Sequence, residues 1–114
     1  MRTTNKLYLL GYVGQNPKTF GKTVKVDIAT NRVWKDKNGE VHKETDWNTV
    51  TILSERDATW VAANVKKGDP VYVEARVAQG SYKKGDETIY TVDIIVERFD
   101  SLVPKPDKDD ADQE

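Results

Sequence analysis

Cysteine is absent from the 114-residue sequence. Its absence excludes disulfides, thiolate nucleophiles and cysteine-based zinc sites together. Histidine occurs once, which excludes a multi-histidine metal centre. No apolar run approaches the roughly 18–20 residues that a membrane helix needs. The opening residues, Met1-Arg2-Thr3-Thr4-Asn5, lack the apolar stretch of a signal peptide. A soluble, cytoplasmic protein with no membrane partner is therefore expected. The length and the 37% hydrophobic content suffice for one modest core, so a large multi-domain enzyme is excluded.

The net charge of -1 conceals an asymmetry. Residues 104–114, PKPDKDDADQE, carry two lysines and five carboxylates, so the body of the chain is mildly basic. Ala111 is the one apolar side chain of that tail. With so little to bury, the tail cannot offset the entropy lost on ordering and is expected to be disordered.

Periodicity along the body predicts strands. Residues 6–13, KLYLLGYV, read as one, with Gly11 at a bend or a close backbone approach. Tyr8, Leu10 and Tyr12 fall on the face opposite Leu7, Leu9 and Val13, and a strand apolar on both faces calls for a subunit contact. Residues 15–22 read as a turn region. In 23–30, Val24, Val26 and Ile28 alternate with polar residues, the mark of a half-buried strand. Asn38-Gly39 is a hairpin signal, and residues 31–46 are expected to form a projecting β-ribbon. A further strand over 45–53 places Asn48, Val50 and Ile52 opposite Trp47, Thr49, Thr51 and Leu53. Ser54 can cap a helix carrying Ala58, Val61, Ala62 and Val65 on one stripe, with Gly68 as its stop. Strands over 70–77 and 88–99 flank an expected loop, 78–87. Val71, Val73, Ala75 and Val77 share one face of the first of these. Five strands with a helix between the third and fourth predict an all-β fold, the five-stranded OB-fold Greek-key barrel, over residues 1–103.

Catalytic chemistry finds no foothold. The sequence has no nucleophile elbow, no phosphate-cradling glycine loop and no pair of metal ligands at helical spacing. No cofactor or metal is expected. His42, in a polar ribbon, reads as an ordinary surface residue. The carboxylates alternate with lysines, as on solvated strand faces. The aromatic residues are more informative. Trp34, Trp47 and Tyr82 have polar or charged neighbours, and Trp34 and Tyr82 are flanked by Lys35, Lys37, Lys83 and Lys84. Aromatic planes interleaved with cations suit single-stranded nucleic acid, whose bases stack while its phosphates meet lysine and arginine. The same tryptophans could instead anchor the ribbon or fill a subunit interface. Trp60 lies off the helical stripe and reads as packing against a loop or a neighbouring subunit.

Four stretches carry a family resemblance. They are N-K-L-Y-L-L-G-Y-V-G-Q-N-P, V-D-I-A-T-N-R-V-W-K-D-K-N-G-E, T-D-W-N-T-V and K-K-G-D-P-V-Y-V-E. In their order and spacing over residues 4–99 the chain resembles the bacterial-type single-stranded DNA-binding proteins. The resemblance implies an OB barrel, self-association as a homotetramer, and nucleoid-associated protection of single-stranded DNA in replication, recombination or repair. It implies base stacking by Trp34, Trp47 and Tyr82, and basic positions at Lys37 and Lys67. Arg32, Lys35, Lys43, Lys83 and Lys84 are the further candidates for phosphate contact. Leu53 stands where the family has a phenylalanine, Ala75 where it has a glycine, and Leu53-Ser54-Glu55 where it has Phe-Gly-Lys. The tail is acidic but lacks the closing apolar residue, so recruitment of replication proteins through it is not expected. A protein-binding OB subunit, an RNA-binding OB domain and a nuclease are the rival readings.

Overall fold

The computed structural model describes residues 1–104, so the tail expected to be disordered lies, from Lys105 onward, outside the described residues. The elements run β1 (Leu7–Val13), β2 (Lys18–Phe20), β3 (Thr23–Lys35), β4 (Val41–Ile52), α1 (Glu55–Asn64), β5 (Pro70–Lys84) and β6 (Glu87–Ser101). The sheet order is β1-β5-β6-β4-β3-β2. It closes because β1 also pairs with β3, Tyr12 opposite Ala29 and Val13 opposite Ile28. Five strands thus make the expected OB barrel, and β2 is a short sixth strand on the edge of β3. The pairings are antiparallel apart from β4 with β6, where Val50 lies opposite Ile94.

The period-2 pattern sets the inside. Val24, Val26 and Ile28 of β3, Val50 and Ile52 of β4, and Val71, Val73 and Ala75 of β5 are buried. Full burial of a valine or isoleucine stabilises by about 1.5–3 kcal/mol, so this lining carries most of the barrel's cohesion. Helix α1 adds Ala58 and Val61, with Val65 just past its end. Ser54 caps it by accepting the Asp57 N–H at 3.4 Å. Ala62 was expected on the buried stripe but is exposed. The helix stops at Asn64, four residues before Gly68, where Val65 turns extended and the Asn64 side chain donates to the Trp60 carbonyl at 2.8 Å.

Gly11 is the close approach that its position in β1 suggested. A Cβ there would stand 2.2 Å from the Ala29 carbonyl oxygen, at the seam where β1 meets β3.

Three further expectations are corrected. The turn region 15–22 contains β2, which pairs Lys18–Phe20 with Thr23–Lys25 across Gly21 at φ 61. The expected loop 78–87 is the outer part of a hairpin arm, paired without interruption from Ala78–Asp93 to Lys84–Glu87. Both faces of this arm meet water, and its β5 half, residues 78–84, lacks the apolar alternation by which a strand is recognised. Val77 leaves the core face and is exposed, because β5 departs from the barrel just beyond an irregularity at Glu74/Ala75, where Glu97 of β6 is unpaired.

Candidate nucleic-acid interface

The ribbon expected over 31–46 is the continuation of β3 and β4 beyond the barrel. Its register is unbroken from Val24–Ile52 to Lys35–Val41. Side chains of a strand alternate between faces, so this register sorts the charges. The face continuous with the core carries Arg32 and Trp34 opposite Glu44 and His42. The outer face carries Lys25, Asp27, Ala29, Val33 and Lys35 opposite Thr51, Thr49, Trp47, Lys43 and Val41. The lysine–carboxylate alternation of the sequence therefore becomes a basic face backed by an acidic one. Among the described residues none of Lys18, Lys25, Lys35 and Lys43 is in an ion pair.

Trp47 is 63% exposed on the basic face. The edge of its ring abuts Gly14, where a Cβ would stand 2.2 Å from the Trp47 Cζ3. The glycine makes room for the Cζ3 edge of the indole against backbone, and most of the side chain stays in solvent. Trp34 is on the opposite face, so the structure does not bring the two tryptophans into one trough. Its indole stacks on His42 at 5.3 Å between centroids and 21° between planes. The Arg32 guanidinium lies 5.1 Å from the ring centroid.

Arg32, a candidate for phosphate contact, is engaged by two carboxylates. Its Nε donates to Asp46 at 2.7 Å and its Nη2 to Glu44 at 2.9 Å. These contacts raise its pKa, the Asp46 bond foremost. An arginine so held orients Trp34 and has little charge to spare. His42 is likewise more than a surface residue. It supports Trp34 from beneath and bonds Asp36 at 2.8 Å. Asp36 also accepts the Asn38 and Glu40 N–H groups, closing the ribbon's turn. Asp36, Glu40 and His42 lie close enough to one another to form a ligand cluster. Asp36 spends both oxygens within the turn, and Lys37 projects from the same turn.

The Asp36 carboxyl is held below its ordinary 3.8, chiefly by the His42 bond and then by the Glu40 and Asn38 amides. It yields its proton more readily folded than unfolded. Its stabilising contribution is therefore complete above that ordinary value and fades as pH falls through the lowered one. The Asn38 and Glu40 amide resonances are expected to move together in that acid range, and Asp36→Asn to abolish the step. An unchanged titration in the variant would refute the assignment.

Tyr82 and Lys84 share one face of the β5–β6 arm, and Lys83 lies on the other. Tyr82 is 54% exposed. Lys67 follows α1, and its backbone N–H donates to the Asn16 side chain at 2.8 Å. The arm also exposes Tyr90 and Val92, on the face of Lys83. Phe20, Lys18 and Lys25 lie on the same face as Trp47. Sequence reasoning missed Phe20 and Tyr90. Phe20 carried the usable signal, the cation–aromatic interleaving of Lys18-Thr19-Phe20-Gly21-Lys22.

A model of the single-strand binding protein family matches residues 4–102. The chain belongs to that family. It is similar to the single-stranded DNA-binding protein of Rickettsia prowazekii, at 32% identity over 117 residues, covering 96% of this chain and 76% of the relative. The protein of the same description from Rhizobium meliloti is 30% identical over 110 residues, covering 89% of this chain and 62% of the relative. Among solved structures, a Plasmodium falciparum SSB in complex with ssDNA matches with a TM-score of 0.73 at 24% identity, covering 90% of this chain and 96% of that one. A deletion mutant of the Thermus aquaticus single-stranded DNA binding protein gives 0.74 at 21%, covering 87% and 50%. At such identities the likeness establishes the fold, the OB barrel described above.

Two further surfaces of this family member expose large apolar side chains. Tyr8, Leu10 and Tyr12 are all more than half exposed on the outside of β1, as the two-sided pattern implied. Leu10 lies opposite Tyr72 of β5, whose hydroxyl donates to Glu74 at 2.9 Å. Trp60 borders a concavity of about 720 Å³ between α1 and the end of the described chain, with Phe99, Leu102 and Val103 on its other wall. Among the described residues no helix is long and apolar enough to cross a membrane.

Proposed function

We propose that this chain binds single-stranded DNA without sequence preference and without catalysis, protecting it in the cytoplasm during replication, recombination or repair. One observation carries the reading. Trp47 is 63% exposed and meets Gly14 only at a ring edge, on one sheet face with lysines that, among the described residues, are in no ion pair. A base stacks on the indole whatever its identity, and Lys35, Lys43 and Lys25 meet the phosphates on either side. Trp34, 38% exposed, offers its remaining surface to a strand that passes over the ribbon's edge, with Arg32 and His42 holding the ring rather than the DNA. Tyr82 with Lys83 and Lys84, and Lys37 and Lys67 at the turns, extend the contact. The bare face of Tyr8, Leu10 and Tyr12 supports self-association, a homotetramer by family likeness, with two copies meeting along β1.

The test is a titration with poly-dT, followed by tryptophan fluorescence at rising salt, with light scattering alongside. Stacking quenches the indoles. The logarithm of the affinity is expected to fall linearly with that of salt, by about 0.7 per phosphate contacted. Absence of quenching at low salt would refute DNA binding. A monomeric mass would refute the assembly. Preference for oligo-rU over oligo-dT would make the ligand RNA, read through its 2′-hydroxyl.

A further inference from the structure

Phe20 is 55% exposed on a three-residue edge strand, with nothing in the barrel requiring an aromatic ring there. Register places it on the same face as Trp47. Lys18 lies opposite Lys25 and Phe20 opposite Thr23, while Lys25 is opposite Thr51 and Ala29 opposite Trp47. The Lys25 ammonium sits 5.6 Å from the Phe20 ring centroid. Between the two aromatic residues lies a concavity of about 190 Å³, lined by Asn16, Lys18, Phe20, Lys25, Asp27 and Thr49. Asn16 holds the backbone of Lys67 to the same place. The one carboxylate in the concavity, Asp27, is bonded by the Thr49 hydroxyl at 2.6 Å.

We propose that Phe20, with Lys18 and Lys25, is a further stacking station for the strand that covers Trp47. The claim rests on the DNA reading given above and adds to it a direction and a length. Six residues of β3 separate the partners of Trp47 and Phe20, about 20 Å at the rise of a β-strand. One base cannot bridge that distance, so the strand runs along β3 from the ribbon down to the barrel's edge and crosses the concavity on the way. Charge supports this occupant. The patch is cationic, its carboxylate is already bonded, and it continues the lysine row of Trp47. An aromatic ring with a cation on one face keeps its other face for a base, and the cation remains in reach of the neighbouring phosphate.

The full chain, Phe20→Ala, Phe20→Trp and Lys25→Ala are compared in poly-dT titrations, with thermal melting and light scattering as controls. Phe20→Ala is expected to weaken binding about tenfold with melting and mass unchanged. Phe20→Trp is expected to restore affinity and to deepen the fluorescence quench, because the new indole lies under DNA. Lys25→Ala is expected to lower the salt slope by about one contact. If the parent chain binds and quenches but Phe20→Ala binds equally well, this station is refuted and the DNA reading stands. A parent that fails to bind poly-dT removes both. If Phe20→Ala changes the mass instead, the patch is an interface between copies and the proposal is overturned.

Discussion

Trp47→Ala is expected to weaken poly-dT binding by about 1–3 kcal/mol, the worth of one base–aromatic stack, while the melting temperature stays near that of the parent. The ring is 63% exposed, so its loss opens no core cavity. It meets Gly14 at a ring edge and lies outside the buried core. Gly14→Val supplies an independent route to the same deficit. Its Cβ would occupy the space of the indole, 2.2 Å from Cζ3, and lift the ring out of place without deleting it. Fluorescence titration and circular dichroism melting separate the two effects. If Trp47→Ala unfolds the chain while its native fraction binds normally, the tryptophan is a structural anchor and the proposed stacking role fails. Trp34→Ala is expected to cost less than Trp47→Ala, because His42 and Arg32 already occupy part of its ring.

Gly11→Ala should produce the largest loss of stability, about 2–3 kcal/mol or more. For a domain of this size that lowers the melting temperature by roughly 10–20 °C. The obstacle is the Ala29 carbonyl oxygen, 2.2 Å from the new Cβ, with the Thr30 Cγ2 at 3.1 Å. A carbonyl within a ladder cannot rotate away. Strand β1 cannot retreat either, because Leu7 to Tyr12 are paired along β5. The substitution therefore strains the β1–β3 seam that closes the barrel. Gly80→Ala is the control. Its Cβ would meet the Asp93 and Thr91 side chains, which can move. Equal melting of the two variants would show that the seam is not what holds the barrel shut.

The legible part of the fold was the part with an apolar side. Val24-Lys25-Val26-Asp27-Ile28 and Val71 to Ala75 announced their buried faces by period, and Ser54 announced its helix by its hydroxyl. Strand β2 and the outer end of β5, residues 78–84, have water on both sides, so composition could not distinguish them from turn and loop. The family resemblance placed Trp34, Trp47 and Tyr82 at the surface, and all three are exposed. Arg32 was harder to read. The carboxylates that engage it lie 12 and 14 residues away, and only the hairpin register brings them to it. His42 is the same case, a lone polar residue until pairing sets it beneath Trp34.

The sequence by itself determined the barrel, its helix, the family and the candidacy of Trp34, Trp47 and Tyr82, because hydrophobic period and short motifs are local properties of the chain. Tertiary structure alone decided which lysines remain free, which face each tryptophan takes, and that Phe20 joins the row of Trp47. Those outcomes depend on register between strands distant in sequence, and a register exists only once the strands have paired.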